Sequence, residues 1–413
     1  MTITRRALIG SAAVASALPD NPARGQGGGG KAPATIRIGV LTDLSGTYRD
    51  ASGPTGVACV RQAVQEFTAG RDMSVEVLEA DFQNRPDVGS AIARQWFDNV
   101  GVDVVVELIN SAVALAVSGL GRERNKVVLV SGAATSELTG RQCSPNTVHW
   151  TYDTWMLAKS TAISTLRAGG DSWFLVAPDY AFGHQLAGDT VRFVEQASGK
   201  VLGRALYPFP ETTDFSAFLQ QARASGAKVL GLCNAGTDAV NSIKQAHEFG
   251  LRRRMQLAAM LVYLPTVHAL GLEVAQGLRL TESFYWDLND RTRAFMERIR
   301  PKVPANWPNM IQAGEYAATL HYLKAVADMG VAAAKTDGRA VVARMKAMPT
   351  DDDCFGEGRI REDGRKVHPS HLFEVKAPAE SRHEWDLYRL VASTPAEEAF
   401  RPMAQGGCPF LQR

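Results

Sequence analysis

Cysteine is scarce in this chain, and its charge is nearly balanced. Five cysteines in 413 residues are too few for a disulfide scaffold. The 45 lysines and arginines against 43 aspartates and glutamates give a formal net charge of +2, which argues against a nucleic-acid binder because such proteins usually carry a basic excess. The 45% hydrophobic content excludes intrinsic disorder. The length then predicts a globular protein of about two domains.

Long apolar runs and the common enzyme motifs are also missing. No uninterrupted apolar run reaches the roughly 18 residues that a transmembrane helix needs. The sequence has no GxGxxG after its first strand, no P-loop, no GxSxG and no HExxH. It has no CxxC pair, and His368 and His371 in a polar loop are weak evidence for a metal. We therefore expect no metal, no cofactor and no catalytic residues, and the protein is not predicted to be an enzyme.

The first 35 residues are typical of an export signal. Arg5 and Arg6 precede a small apolar run from Ser11 to Leu18, which contains a candidate Ala-Ser-Ala cleavage site. The arginine pair also resembles a twin-arginine signal. The alternative is a helix that begins with two arginines. Residues 19–35, rich in glycine and proline, are predicted to be a flexible tether, and the protein is predicted to be periplasmic.

Export changes the interpretation of the cysteines, because the periplasm permits disulfides. Cys59 and Cys233 lie in helical and strand patterns and are predicted to be small core residues. Cys143, Cys354 and Cys408 lie in loop-like segments. We expect one bridge among these three, with Cys408 tying down the C-terminal tail, but the sequence does not choose its partner.

Strands and helices alternate through two consecutive units. Four strands are predicted first, at residues 36–41, 75–80, 102–109 and 127–130, and segments of helical spacing separate them. The nearly continuous apolar run at 102–109 is typical of a strand covered on both faces. The pattern restarts after about residue 150, which predicts an α/β fold with a doubly wound parallel sheet in each of two lobes. In such sheets ligands bind beyond the carboxyl ends of the strands. The loops so selected follow Leu41, Ile109, Val130, Ala177 and Cys233.

Three of these loops, at residues 110–111, 132–136 and 234–238, are short, small and polar. Each precedes a helix or a helix-like segment, where free backbone N–H groups and the positive end of the helix dipole favour an anion. For any single loop, the alternative is that its polar side chain merely caps the helix. Several such loops at one sheet edge predict a small-anion site.

Several segments together resemble the periplasmic solute-binding proteins of branched-chain amino-acid transporters. They are the leader, Ile38–Gly46, Gly53, Ser131–Ser136, Asp179–Gly183 and Asp214–Phe215. The resemblance spans roughly residues 36–390. It implies a type I periplasmic binding protein fold, in which two Rossmann-like lobes with parallel sheets are joined by three crossovers and clamp a ligand. The domains so implied are lobe 1 at 36–150 and 284–348, lobe 2 at 151–283 and 349–395, and a C-terminal tail at 396–413.

The resemblance also implies how a ligand is held. In the family, two loops of lobe 1 bind an amino acid's carboxylate, and a tyrosine and a further loop close from lobe 2. The residues in the matching positions are Asn110, Ser111, Ala133, Ala134 and Thr135 in lobe 1, and Tyr180, Asn234 and Gly236 in lobe 2.

One position departs from the family pattern. The family places an acidic residue for the ligand's ammonium group after the strand predicted at residues 255–261. This chain has Leu261, Val262 and Tyr263 there, with no carboxylate. Burying an unpaired ammonium would cost several kcal/mol, so we expect a ligand with an acidic end and an apolar body. Asp238 could instead supply the ammonium partner.

Residues 281–290, 312–316 and 363–386 resemble a subgroup that binds aromatic carboxylates such as benzoate derivatives and hydroxycinnamates. The side chains available to sandwich a ring are Tyr48, Tyr180, Phe182 and Tyr263. The alternative for residues 284–286 is packing at a crossover between the lobes.

These resemblances imply the extracytoplasmic substrate-binding subunit of an ABC importer, which closes on a small carboxylate by hinge motion. It would deliver the ligand to permease and ATPase subunits in the inner membrane. We expect a monomer with no nucleic-acid partner. Three alternatives stay open: a branched-chain or other amino-acid-binding protein of the same fold, a periplasmic ligand-sensing module, and an enzyme on an α/β scaffold.

Overall fold

The computed structural model describes residues 34–411. The predicted signal peptide and residues 19–33 of the predicted tether lie outside the described residues. The described chain forms an α/β fold with two separate parallel sheets, as the sequence predicts. We call the part built on the first sheet lobe 1 and the part built on the second sheet lobe 2.

Five parallel strands in the order β2-β1-β3-β4-β5 form the sheet of lobe 1. They are β1 (Ile36–Thr42), β2 (Val75–Asp81), β3 (Val104–Glu107), β4 (Val127–Val130) and β5 (Thr147–His149). The sequence predicts four of them and misses the three-residue β5. The predicted strand at 102–109 ends early, because Glu107 and Leu108 adopt φ values of 90° and 64°, outside the extended region.

Helices cover both faces of this sheet. Those from the first part of the chain are α1 (Gly53–Thr68), α2 (Pro86–Gln95) and α3 (Ser111–Glu123). Pro54 stands in the first turn of α1, where its missing N–H is not needed, and Val57 and Val60 face the core. Four further helices come from much later in the chain: α10 (Asp290–Ile299), α11 (Met310–Met329), α12 (Val331–Thr336) and α13 (Gly338–Ala347). Helix α11 packs on α1 and β3 and is buried along most of its length.

Four parallel strands in the order β7-β6-β8-β9 form the sheet of lobe 2. They are β6 (Ser172–Pro178), β7 (Lys200–Tyr207), β8 (Val229–Leu232) and β9 (Gln256–Ala259). The associated helices are α4 (Thr154–Arg167), α5 (Ala181–Gln196), α6 (Ser216–Ala224), α7 (Gly236–Glu248), α8 (Leu264–Leu270) and α9 (Leu272–Ala275). Strand β9 is shorter than predicted, so Leu261 belongs to the loop that follows it.

A third, antiparallel sheet is absent from the sequence prediction. It has the order β10-β13-β14. Its strands are β10 (Arg279–Glu282), β13 (Ser370–Val375) and β14 (Tyr388–Thr394); a short ribbon of β11 (Arg359–Ile360) and β12 (Lys366–Val367) and the helix α14 (Ala396–Ala399) complete the fold. The sheet joins strands about 90 residues apart, such as Arg279 and Glu374, and local pattern cannot reveal such pairing.

The chain passes between the lobes after β5, after β10 and after α13. At the second passage the fully buried Glu282 accepts hydrogen bonds from Met310 N and from the hydroxyl of Tyr388. Burial raises the pKa of Glu282 to about 8. The residues at which each passage divides the lobes, predicted near 150, 283 and 349, stay predictions.

Cys143 and Cys408 form a disulfide that joins residues 265 positions apart. The bridge confirms the prediction that Cys408 ties down the tail, and it shows that the partner of Cys408 is Cys143. Cys59, Cys233 and Cys354 are buried and unbridged. Within residues 34–411, no helix has both the length and the apolar composition that crossing a bilayer requires.

Candidate functional site

A small cavity lies between the lobes, at the carboxyl ends of both parallel sheets. With the lobes together its volume is about 10 Å³, which is room for about one water molecule. The side chains that line it are Tyr48, Ile109, Ala134, Tyr152, Tyr180, Phe182, Ala235, Leu261 and Tyr263. Five of these nine are aromatic, and none carries a formal charge at neutral pH. The cavity is therefore an apolar slot with phenol hydroxyl groups as its polar side-chain atoms.

The cavity contains five of the twelve predicted site residues: Tyr48, Ala134, Tyr180, Phe182 and Leu261. Tyr263, predicted as a ring contact, also lines it. Ile109 and Ala235 adjoin predicted residues and could have been found from the rule that sites follow strand ends. The sequence did not predict Tyr152 as a site residue, because Tyr152 follows β5, the strand that the sequence prediction missed. The other predicted residues surround the cavity without lining it.

Tyr48 reaches the cavity from a tightly hydrogen-bonded loop after β1. The buried carboxylate of Asp43 accepts the backbone N–H groups of Ser45, Gly46 and Tyr48, the last at 2.9 Å. The side-chain amide of Asn84 also donates to it. A buried carboxylate with this many donors fixes the loop, and the loop directs Tyr48 towards lobe 2.

Tyr48 of lobe 1 meets two aromatic residues of lobe 2. Its hydroxyl oxygen lies 2.7 Å from that of Tyr180. The ring of Phe209, on the loop between β7 and α6, stacks on Tyr180 with centroids 4.6 Å apart and on Tyr48 at 5.6 Å. Phe209 is half-buried and lies outside the cavity lining, so it covers the cavity from the solvent side. It was not among the predicted residues.

A second pair of tyrosines has a defined hydrogen-bond direction. The hydroxyl of Tyr152 donates to the carbonyl oxygen of Gly132, which can only accept. It therefore accepts from the hydroxyl of Tyr263, 2.8 Å away. Since its proton is used in this way, Tyr263 presents only lone pairs to the cavity. Burial raises the pKa of both phenols, so both stay neutral.

The loop at residues 132–135 offers free backbone donors. Its carbonyl oxygens are occupied: Gly132 accepts from Tyr152, Ala133 from the imidazole of His149, and Ala134 from the backbone N–H of Thr154. Burial lowers the pKa of His149, so the ring is neutral. Among residues 34–411, no acceptor lies within hydrogen-bond distance of the N–H groups of Ala133 and Ala134.

Ser111 and Thr135 adjoin these free donors. The hydroxyl oxygen of Ser111 accepts the backbone N–H of Thr135 at 3.3 Å, which leaves the hydroxyl proton of Ser111 available. The hydroxyl of Thr135 accepts the N–H of Glu137 and caps a short 3₁₀ turn. Asn110 caps α3 by accepting the N–H groups of Ala112 and Val113. The side chains of Asn110 and Thr135 therefore act as helix caps, which is the alternative to ligand binding. Within the described chain, the hydroxyl of Ser111 and the backbone N–H groups of Ala133 and Ala134 remain unused as donors.

The predicted loop of lobe 2 contacts lobe 1 directly. Gly236 adopts φ +62°, and a Cβ at this position would lie 2.2 Å from the carbonyl oxygen of Thr47. The backbone N–H of Thr237 donates to the same oxygen at 3.1 Å. The side-chain amide of Asn234 donates within its own lobe, to Ser242 and to the carbonyl of Asp238. Only a residue without a side chain allows this approach of the two lobes.

Asp238 lies beside the site, and its contacts argue against a role in binding a ligand. Its carboxyl accepts the hydroxyl of Tyr207 at 2.8 Å and is not part of the cavity lining. Burial raises its pKa to about 7. A carboxyl that is half-protonated near neutral pH and already hydrogen-bonded is a weak partner for an ammonium group.

Two further carboxyl groups, Glu107 and Glu315, are buried behind the lobe 1 side of the cavity. Neither is exposed. Among the described residues the carboxyl oxygens of Glu315 have no hydrogen-bond partner, and those of Glu107 have only the poorly aligned donors of Thr42, Leu108 and Ile109. Burial raises the pKa of both. The charge of Asp43 raises that of Glu107 further, and Glu107 raises that of Glu315 further. We therefore take both as neutral acids, which do not repel an anion at the free donors of Ala133 and Ala134.

Residues 35–381 match the profile of the periplasmic binding protein family. The chain belongs to that family. The two-lobed type I architecture implied by the sequence resemblance is thereby confirmed.

Solved structures of periplasmic binding proteins are similar to this chain over most of its length. A periplasmic binding protein from Burkholderia mallei is 42% identical, with a TM-score of 0.88, and the match covers 92% of this chain and 99% of that one. A branched-chain amino acid ABC transporter periplasmic ligand-binding protein from Burkholderia xenovorans is 35% identical, with a TM-score of 0.79 and coverage of 91% and 99%.

Two more distant matches are informative. A solute-binding protein of an ABC transporter from R. palustris, solved in complex with benzoate, is 18% identical, with a TM-score of 0.78 and coverage of 88% and 97%, and it shares the fold. The curated Leu/Ile/Val-binding protein homolog 8 of Brucella abortus is 24% identical over 257 residues. That match covers 59% of this chain and 63% of the relative's length.

Proposed function

We propose that this periplasmic binding protein is the substrate-binding subunit of an ABC importer and holds a small aromatic carboxylate between its lobes. The observation that carries the proposal is the composition of the interlobe cavity: five aromatic side chains and no charged one. The ring would enter when the lobes separate and would then pack against these side chains, since aromatic pairs add roughly 0.5–1.5 kcal/mol beyond the burial of their area.

In this proposal the carboxylate lies at the edge of the cavity formed by lobe 1. Its donors would be the free N–H groups of Ala133 and Ala134 and the hydroxyl of Ser111. Hydrogen bonds to a charged acceptor contribute about 1.5–3 kcal/mol each. The neutral state of Glu107 and Glu315 favours the same arrangement, since neither carboxyl group adds a negative charge behind these donors. One phenol proton of the Tyr48–Tyr180 pair is left for a polar ring substituent.

A branched-chain or other amino acid is the second candidate, and it is supported by the name of the Burkholderia xenovorans protein. The cavity lining argues against it. An α-ammonium group would meet no carboxylate among the lining residues, and Asp238 is already bonded to Tyr207. Leaving a charged group unpaired in a buried site costs several kcal/mol.

A thermal-shift panel with the purified protein tests the ligand class. We expect benzoate, 4-hydroxybenzoate or a hydroxycinnamate to raise the melting temperature, benzamide to raise it much less, and leucine to leave it unchanged. Benzamide has the ring without the charge and so separates ring recognition from carboxylate recognition. Stabilisation by leucine and by no aromatic acid would refute the proposal. Turnover of any panel compound would instead favour an enzyme.

An uptake assay distinguishes a role in transport from a role in ligand sensing. Cells that lack this protein should take up the labelled aromatic acid more slowly, and the wild-type chain should restore uptake. If uptake is unchanged while a transcriptional response to the acid is lost, the protein is a ligand-sensing module.

A further inference from the structure

Two cavities lie at the end of lobe 2 that is remote from the ligand cavity. The smaller, about 400 Å³, borders the amino end of β9 and the end of α4. The larger, about 590 Å³, runs between α4 and the antiparallel sheet of β13 and β14. Arg279 lines both, so the two cavities adjoin. Neither shares a residue with the interlobe cavity.

The smaller cavity, which we call the arginine pocket, is defined by Arg252, Arg253, Arg254 and Arg279. Among residues 34–411, no carboxylate lies within 4.0 Å of the guanidinium groups of Arg252, Arg253 or Arg254. Arg252 is held by the carbonyl oxygens of Val274 and Gln276, while Arg253 and Arg254 are exposed. Four arginines therefore line one cavity, and Glu374, bonded to Arg279, is the one acidic residue paired with any of them among the described residues.

Glu374 accepts Arg279 Nε at 3.2 Å and also pairs with Arg389. A second donor of Arg279, Nη1, reaches the hydroxyl of Ser164. The pocket thus keeps an excess of positive charge in a concave site. Guanidinium groups suit planar or tetrahedral oxyanions, because their donors form a rigid fork that binds phosphate or carboxylate oxygens in pairs.

The larger cavity, which we call the apolar groove, has a different lining. Met156, Ile163, Leu372 and Val391 provide its apolar surface. Serine hydroxyl groups and the charged side chains of Lys159, Arg167, Arg279 and Glu398 complete the lining. Val391 is 43% exposed and its neighbour Leu390 48% exposed, on β14 at the edge of its sheet. Val391 is therefore an apolar side chain of the groove that remains accessible to a ligand.

We propose that these two cavities together bind an amphiphilic anion, with its phosphate or carboxylate head group in the arginine pocket and its alkyl chain in the apolar groove. The site is separate from the interlobe cavity and independent of the function proposed above. The same chemistry is offered by a free alkyl phosphate or fatty acid and by the head group and chain of an anionic lipid.

Calorimetry with decyl phosphate below its micelle concentration tests the site. The Arg253→Glu, Arg254→Glu double variant should bind at least about tenfold more weakly than the wild type. Its matched control is Arg204→Glu, Arg223→Glu, which changes two exposed arginines of lobe 2 outside the pocket by the same charge. The control should bind like the wild type. Equal binding by the double variant and its control, or no binding to the wild type, would overturn the proposal.

The groove is tested with a neutral substitution and a ligand without a tail. Val391→Asn should weaken decyl phosphate binding and leave inorganic phosphate binding unchanged, and inorganic phosphate should bind the wild type more weakly than decyl phosphate. Equal affinities for the two ligands would overturn the groove's role. Flotation with phosphatidylglycerol vesicles identifies the source: retention supports a membrane lipid, and binding of decyl phosphate without retention supports a free amphiphile.

Discussion

The hydroxyl oxygens of Tyr48 and Tyr180 lie 2.7 Å apart across the cleft, although the two residues are 132 positions apart in the chain. Phe209 stacks on both rings, and the adjacent Gly236 lets the backbone of lobe 2 reach Thr47. The contacts of Tyr48 with Tyr180 and Phe209, and of Gly236 with Thr47, exist only when the lobes are together, so they stabilise the closed conformation. A ligand that binds the closed conformation is therefore bound more tightly because these contacts form.

Removing the Tyr180 hydroxyl should weaken ligand binding by weakening closure. A neutral hydrogen bond contributes about 0.5–1.5 kcal/mol, so Tyr180→Phe should raise the dissociation constant of the bound acid by roughly two- to tenfold. Calorimetry measures the change. Tyr322→Phe is the matched control, because the Tyr322 hydroxyl is buried without a partner and remote from the cavity. Equal affinities for the two variants would contradict a role for the tyrosine pair.

A methyl group at Gly236 should prevent the lobes from closing. Its Cβ would lie 2.2 Å from the carbonyl oxygen of Thr47, a distance that no rearrangement of a side chain can relieve. Small-angle scattering should therefore show that Gly236→Ala keeps a larger radius of gyration with ligand present than the wild type. Gly226→Ala is the control: Gly226 has φ +72° but no heavy atom within 4 Å of its Cβ position, so it carries the same backbone strain without the interlobe clash.

Ser111→Ala should weaken the binding of carboxylates more than that of amides. The variant loses a hydroxyl donor that would face a charged oxygen, an interaction of about 1.5–3 kcal/mol. Calorimetry with benzoate and its amide separates this effect from a general loss of packing. Ser118→Ala, on the same helix and bonded to Thr147, should bind like the wild type. If both ligands lose affinity equally, the anion site lies elsewhere.

Cys408→Ser should lower the stability of the protein without changing its ligand affinity. Removing a disulfide that closes a long loop typically costs about 2–5 kcal/mol. Urea denaturation measures the loss. Wild-type protein treated with a reducing agent should unfold at the same urea concentration as the variant, since both lack the bridge to Cys143. A variant as stable as the oxidised wild type would contradict the prediction.

Titration of Asp238 should make the free energy of unfolding depend on pH. Its pKa rises from 3.8 in its ordinary state to about 7 in the fold, because burial disfavours the charged carboxylate. The folded state thus holds the proton more tightly, and the stability gained in this way is complete below about pH 4 and lost as the pH rises through about 7. Asp238→Asn removes this titration and can keep the hydrogen bond from Tyr207.

Urea denaturation at several pH values measures the effect. The free energy of unfolding of the wild type, relative to Asp238→Asn, should fall between about pH 4 and pH 8. A difference between the two proteins that does not change with pH would show that Asp238 does not titrate in this range.

Much of the fold could be predicted because its elements are encoded locally. The valine-rich β3 and β4 are continuous apolar runs, as strands covered on both faces must be, and α1 begins where Gly53 and Pro54 allow. The rule that sites follow strand ends placed Ala134, Tyr180 and Leu261 at the cavity. The third sheet escaped prediction because β10, β13 and β14 become a sheet only through pairing of distant segments.

The sequence by itself determined the α/β alternation, the polar loops at the strand ends and the lack of a carboxylate in the stretch from Leu257 to Tyr263. Tertiary structure alone decided that Tyr152 and Phe209 join the site and that Cys143 pairs with Cys408. The physical reason is that hydrophobic period and helix caps are set by neighbours in the chain. Which hydroxyl keeps a free proton and which carboxyl loses its charge depend on groups that only folding brings together.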